Sequence, residues 1–395
     1  MPKTRIPPLP YGHQSVDDQD VAAVESVLRD DWITQGPRIP AFEAAVAERV
    51  GVGHAVAVSS GTAALHSACL AAELKDGTKA IVPTLTFGAT AAAVRLTGAE
   101  VQFADIDSET LGLSAQTVEP LVTQETKAVI PVDFAGQPCD WDDLSEITSK
   151  HGITSIADAA HALGATYMAR NVGSLADMTC FSFHPVKAIT SAEGGMVLTD
   201  AESLAGRLRE VRNHGIVRDA ANHSSPDKKS EDAGPWYYEI QDIGLNYRIS
   251  DIHCALGLSQ LNKLDIFTNK RSALADRYTA AFADSELIDT PNVKADRSSA
   301  WHLYVIRLKL KALSWSRRQV FEALRDRGLG VQVHYMPLHL HPYYRLRYGH
   351  ERGDFPIAEA YYDAALTLPL FPAMTERDID DVVEIVMDVL GAARR

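Results

Sequence analysis

Lys187 stands in "FSFHPVKAITSAEGGMVLTD", residues 181–200, between two apolar runs of strand length. An ammonium placed there is partly desolvated, which favours the neutral amine, and a neutral amine forms a Schiff base with an aldehyde. A solvated loop lysine is the plainer reading of the same residue. Gly194 and Gly195 follow, and predict a close backbone approach and a tight reversal before the next strand. Asp158 closes the apolar run of "ITSIADAAH". A carboxylate at that place needs a partner, so it either caps the next helix or meets a cation such as a protonated ring nitrogen. In "SSGTAAL" small hydroxyl residues and a glycine lead into a helix. Free N–H groups and the helix dipole there suit an anion, with Thr62 able to donate its hydroxyl, although Ser60 also serves as an ordinary N-cap. Phe87 adds a flat aromatic face after "AIVPTLT".

The elements that must position these groups are legible between His54 and Leu198. "HAVAVSS" leads into "GTAALHSACLAAEL", "KAIVPTLTF" into "GATAAAVRLTG", "EVQFADID" into "SAQTVEPLVTQE" and "KAVIPVDFAG" into "DWDDLSEITSKHG". "ITSIADAAH", "MTCFSFHP" and "GGMVLTD" follow. Strand-length runs alternating with helices predict an α/β fold with a mostly parallel sheet covered on both faces. In such a sheet ligands bind beyond the carboxyl ends of the strands. Ser59, Ser60, Gly61 and Thr62, then Phe87, then Asp158 and His161, then Ser182, His184 and Lys187 all fall at those ends. Four distant segments therefore project to one edge of the sheet. An amine for an aldehyde, donors for a phosphate, a carboxylate for a ring nitrogen and an aromatic face together match pyridoxal phosphate.

Beyond Ile216 the composition turns polar, and residues 216–240 read as a long surface loop ending in the aromatic "PWYYE". A helical pattern runs from about Ser250 to Asp284. "WHLYVIRLKL" alternates like a half-exposed strand, "SRRQVFEALRDRG" reads as a helix, "GVQVHYMP" as another strand, and "TERDIDDVVEIVMDVLGAARR" as a C-terminal helix. The expected division is a large cofactor-binding unit at 1–249 and a smaller α+β unit at 250–395. His334, His339 and His341 raise the question of a metal. With no acidic ligand pattern and several prolines nearby, they read instead as an exposed aromatic and histidine rim, and no metal is expected.

Composition narrows the class further. The 395 residues carry 38 Lys and Arg against 52 Asp and Glu, a formal charge of −14, which argues against a nucleic-acid or anionic-membrane partner. The four cysteines are widely spaced with no CxxC pair, which gives no support to a zinc site or disulfide framework. The N-terminus has no apolar core for a signal peptide, and no apolar run reaches spanning length, so a cytoplasmic location is expected.

Several motifs, "DWITQGPRIPAFEAAVA", "SSGTAAL", "ADAAHALGA", "FSFHPVKAITSAEGGMV" and "GLNYRISDIHCALGLSQL", occur in an order that resembles the DegT/StrS-type nucleotide-sugar aminotransferases. These are pyridoxal phosphate enzymes of fold type I, the aspartate aminotransferase-like fold with a mostly parallel seven-stranded sheet and a smaller α+β domain. The resemblance implies that Lys187 binds the cofactor aldehyde and shuttles a proton, and that Asp158 partners the ring nitrogen. It implies phosphate contacts from Gly61, Thr62 and Ser182, ring stacking by Phe87, and His161 at the cofactor's other edge. Asn246 resembles a phosphate contact given by a second subunit, hence a homodimer with shared sites, and Arg248 lies in the same motif. His184, Glu193, His334 and the 216–240 loop are implied substrate contacts. "GPWYYE", "SAWHLYVIRL" and "VQVHYMPLHLHPYY" are similar to the subgroup that aminates C4 of a UDP-linked 4-keto-6-deoxy N-acetyl sugar on the way to pseudaminic acid, with L-glutamate as expected donor. Other readings stay open. A 3-keto or different 4-keto sugar could be the substrate. A dehydratase of the same family would carry histidine in place of Lys187, and a non-catalytic sensor would show damage in the cofactor set.

Overall fold

The structure, a computed structural model, describes residues 3–219, 223–224 and 234–395. The sequence-predicted loop at 216–240 therefore lies partly outside the described residues. Its described ends, Ile216–Val217 and Glu239–Ile240, pair antiparallel.

Seven strands form the central sheet: β1 (His54–Val58), β2 (Lys79–Pro83), β3 (Glu100–Ala104), β4 (Thr126–Val129), β5 (Thr154–Asp158), β6 (Met178–Ser182) and β7 (Gly195–Thr199). Their order is β1-β7-β6-β5-β4-β2-β3, and β7 alone runs antiparallel to its neighbours. The strands are short and mostly buried, as a sheet covered on both faces requires. Two apolar cores, one on each face, separate the sheet from its helices.

Helix α1 (Asp18–Arg29) and α2 (Arg38–Val50) precede the sheet; α3 (Gly61–Ala71), α4 (Gly88–Leu96) and α5 (Trp141–His151) connect its strands, and α6 (Glu202–Arg212) follows the last of them. The run 114–125 departs from its helical expectation. Only Ala115–Val118 is α-helical, and a single 3₁₀ turn, Glu119–Leu121, follows. Pro120 sits in that turn, and a proline cannot supply the N–H that a continuing helix needs.

The pattern at 250–284 resolves into α7 (Asp251–Leu261) and α8 (Leu264–Phe282), broken at Asn262 and Lys263. A second sheet holds β8 (Ile288–Asp289), β9 (Tyr304–Leu308) and β10 (Ala365–Leu368) in the order β8-β9-β10. Two further helices, α9 (Arg317–Asp326) and α10 (Glu376–Ala393), start at capping boxes headed by Ser316 and Thr375. Strand β9 is more buried than its alternating pattern predicts. Tyr304, Ile306 and Leu308 enter one core while Val305 enters another, so both of its faces are covered. "GVQVHYMP" is not a strand. Gln332 alone bridges Thr367, after which the chain leaves the sheet and Leu338 N bonds Thr84 O at 2.8 Å. The N-terminal residues lie against this second region, with Leu9 bridging Leu329 and Arg5 paired to Asp381 at 2.7 Å.

Candidate active site

A cleft of about 410 Å³ opens where β1, β2, β5 and β6 end. Gly61, Thr62, Phe87, Asp158, His161 and Ser182 line it, together with His184, Lys187, Glu193 and His334. The four segments that the sequence placed at one edge thus meet in one space.

The helix-start cradle is built by close packing. Ser60 caps α3 by accepting from Ala63 N at 3.1 Å, and this leaves the first N–H groups of the helix aimed at the cleft. A Cβ on Gly61 would meet Ser182 Cβ at 2.8 Å and Oγ at 3.0 Å, so only glycine lets the helix start reach β6. Gly195 is tighter still: a Cβ would lie 2.3 Å from Ser60 O. The close approach predicted for the glycine pair is present, but the left-handed residue of the reversal is Ala192, with φ 66°.

Asp158 is 6% exposed. Its Oδ2 accepts from Thr90 Oγ1 at 2.7 Å, and Thr90 Oγ1 is within 2.7 Å of Thr86 Oγ1. Oδ1 accepts a longer bond from Ala160 N at 3.3 Å. Burial raises the carboxyl pKa, and the Thr90 bond opposes that rise. Lys187 keeps part of its surface open to the cleft, yet burial of its amine lowers its pKa to about 8; Asp158 acts against this and Arg271 adds to it in smaller measure. A buried carboxylate and a depressed amine sharing one cleft is the pattern of groups tuned for proton transfer.

Phe87 is 60% exposed at the helix start of α4, its ring 5.8 Å from Tyr335. A bare aromatic face turned into a cleft is a platform for a second ring. His161 packs against His302 with centroids 4.2 Å apart and the rings tilted by 32°, and burial holds both imidazoles well below their usual pKa, hence neutral. Ala135 N donates to His161 Nδ1 at 3.3 Å. His334 contacts Thr367 Oγ1 at 2.8 Å, and its pKa is lowered to about 4, first by burial.

The histidine cluster is corrected by the structure. His339 is fully buried, between Thr84 Oγ1 at 2.6 Å and Glu359 Oε1 at 3.1 Å, and is no part of an exposed rim. Among the described residues no group of His, Cys, Asp or Glu is arranged to hold a metal. Asn246 and Arg248 do not line the chain's own cleft; Arg248 Nη1 donates to Asn213 Oδ1 at 2.8 Å. The sequence reasoning missed Tyr11, Thr86 and His302, which line the cleft, and Thr90 behind it; Tyr335, within the candidate segment "HYMPLHLHPYY", lines it as well.

The cradle at Gly61 and Ser182, the buried carboxylate and the bare Phe87 face fit a phosphorylated pyridine aldehyde. Strand order and these placements define the class: an enzyme of the aspartate aminotransferase-like fold, dependent on pyridoxal phosphate. The chain belongs to the DegT/DnrJ/EryC1/StrS aminotransferase family, whose profile matches residues 14–387. It is 40% identical over 386 residues, 98% of each chain, to the spore coat polysaccharide biosynthesis protein SpsC of Bacillus subtilis. Among solved structures it is similar to Helicobacter pylori PseC, an aminotransferase involved in the biosynthesis of pseudoaminic acid, with 30% identity, TM-score 0.89, and coverage of 98% of this chain and 100% of that one. The PLP-form of the putative sugar aminotransferase Spr1654 from Streptococcus pneumoniae matches at 28% identity and TM-score 0.89, over 98% of this chain and 99% of that one.

Proposed function

We propose that this aminotransferase converts the 4-keto group of a UDP-linked 6-deoxy N-acetyl sugar to an amine, with L-glutamate as donor, in a pathway to pseudaminic acid. The observation that carries the reading is the pairing of a depressed amine at Lys187 with a buried carboxylate at Asp158 in a cleft whose fold matches PseC over its whole length.

Pyridoxal phosphate, when bound, supplies an aldehyde to receive the amino group and a ring that takes up the electron pair left at the reacting carbon. Lys187 would hold it through that aldehyde. The first N–H groups of α3 at Gly61 and Thr62, with the Thr62 and Ser182 hydroxyls, would hold its phosphate. The ring would rest on Phe87, with His161 at its other edge. Asp158 would keep the ring nitrogen protonated, because a cation is the partner a buried carboxylate needs. With a pKa near 8, the Lys187 Nζ carries both protonation states near neutral pH, so it can take a proton from the donor's α-carbon and return one. The neutral His161 and His302 add no competing charge. His184 and Glu193 are exposed residues of the cleft lining and His334 is a buried one, and the sugar would lie among them.

A homodimer completes the reading. Asn246 is exposed and turned away from its own cleft, as a residue serving a partner's phosphate site would be. Trp32, Ile33, Trp236, Ile240 and Ile243 are exposed apolar side chains, an expected surface for such a partner. Among the described residues no helix is long and apolar enough to cross a membrane.

SpsC, 40% identical, is named for spore coat polysaccharide biosynthesis and not for pseudaminic acid, which motivates a second reading, amination of a different nucleotide keto sugar. Turnover with a panel of UDP- and dTDP-linked 3-keto and 4-keto sugars, followed by product mass, separates the two. Amination of the UDP-linked 4-keto N-acetyl sugar is expected, and its absence beside turnover of another sugar would replace the first reading with the second. A visible absorbance band that does not change on adding glutamate would instead point to a sensor.

A further inference from the structure

Arg271 is a buried cation with no carboxylate. It lies on α8 and is 1% exposed, and no ion pair to it exists among the described residues. Its Nη1 donates to Leu370 O at 2.9 Å, Trp301 O at 3.3 Å and His302 O at 3.5 Å, and its Nη2 donates to Val186 O at 3.4 Å. Its Nε has no partner. An apolar side chain of similar size would fill the space without the cost of burying a charge, so packing alone does not account for the guanidinium.

The carbonyls it gathers share a destination. Val186 immediately precedes Lys187, whose N–H turns back to His184 O at 3.0 Å. His302 packs against His161 in the cleft. Leu370 N donates to Tyr11 O at 3.0 Å, and Tyr11 lines the cleft. One side chain thus ties together the backbone behind three cleft residues that are far apart in sequence.

We infer that Arg271 is a positioning residue for Lys187, pinning the turn that carries the lysine and holding a fixed positive charge behind its amine. The charges around Lys187 leave Arg271 as the cation acting on it. Asp158 opposes it across the cleft, and Glu193 lines the cleft as a further acid. The imidazoles of His161, His302 and His334 and the phenol of Tyr335 are neutral at pH 7. The guanidinium is itself shifted only to about 10 and stays charged at neutral pH. Placed there, it favours the neutral amine and fixes the direction from which the amine enters the cleft.

The kinetic part of this inference rests on Lys187 being the cofactor lysine; the titration part does not. In the cofactor-free full chain, acetic anhydride labelling of the Lys187 peptide against pH, read by mass, gives the amine's midpoint directly. Burial is the first cause of the depressed amine and Arg271 adds to it, so we expect a midpoint of about 8 in the unaltered protein, about half a pH unit higher in Arg271→Gln and Arg271→Met, and no such rise in Arg271→Lys. A midpoint unmoved in Arg271→Gln overturns the inference. Should both neutral variants fail to fold, Arg271→Lys decides, because it keeps the charge but not the forked geometry. Its kcat should fall about tenfold with KM unchanged, and a kcat equal to that of the unaltered enzyme overturns the positioning role. Borohydride reduction of the loaded enzyme, with a pyridoxyl mass sought on the Lys187 peptide, reports separately on whether the lysine carries the cofactor.

Discussion

Thr90 Oγ1 donates to Asp158 Oδ2 at 2.7 Å, from a threonine that is fully buried. The bond joins the second strand's connecting helix to the end of the fifth strand, and with the Ala160 N–H on Oδ1 it fixes the orientation of the carboxylate.

Replacing that threonine should therefore change chemistry more than fold. Thr90→Val removes a hydrogen bond to a charged group, worth about 1.5–3 kcal/mol, and we expect kcat to fall about tenfold or more. Loss of the donor lets burial raise the Asp158 pKa further, so the acid limb of the pH–rate profile should move to higher pH. Thr90→Ser should restore both. Steady-state rates across pH check this.

Lys187→Ala should lose activity about a thousandfold while the chain stays folded, as expected when a proton-transferring group is removed. After borohydride reduction no pyridoxyl mass should remain on the peptide. Retained turnover would place the cofactor's amine elsewhere.

The same lysine makes cofactor-free stability depend on pH. Its folded pKa, about 8, lies below its ordinary value of 10.5. Between those values the unfolded chain binds more protons than the folded one, so stability attributable to Lys187 rises with pH from about 8 to 10.5 and is at its lowest below 8. The urea midpoint of the cofactor-free protein, measured relative to Lys187→Met, should climb through this window. A flat difference would mean the lysine is not desolvated.

Three glycines should rank by what a methyl group would meet. Gly88→Ala meets nothing within 4 Å and should be neutral. Gly61→Ala presses on Ser182 at 2.8 Å and should weaken pyridoxal phosphate binding, with about 1–3 kcal/mol lost from the fold. Gly195→Ala meets the Ser60 carbonyl at 2.3 Å, a backbone atom that cannot rotate away, and should be the least stable of the three. Cofactor titration and thermal melts give the order.

His339→Leu should cost about 1–3 kcal/mol, because it leaves the Thr84 and Glu359 oxygens without their buried partner. Metal content should be the same in variant and unaltered protein. Stoichiometric zinc lost on substitution would restore the metal reading.

The sequence by itself determined the strands of the central sheet and the edge at which Lys187, Asp158, Gly61 and Phe87 meet, but not the second sheet, where one expected strand is absent and another is covered on both faces. Strand-length apolar runs separated by helices permit few arrangements, and in each of them the strand ends share one side. Tertiary structure alone decided what lies behind that edge. Thr90 reaches Asp158 across 68 residues, and Arg271 reaches Val186 across 85. Neither helix has a pattern that distinguishes a residue facing a core from one facing a carboxylate or a carbonyl. The same limit explains His339: a histidine near prolines looks exposed until a strand-end threonine and a distant glutamate close around it. Periodicity records which face is buried, and only the packed fold records what the buried face touches.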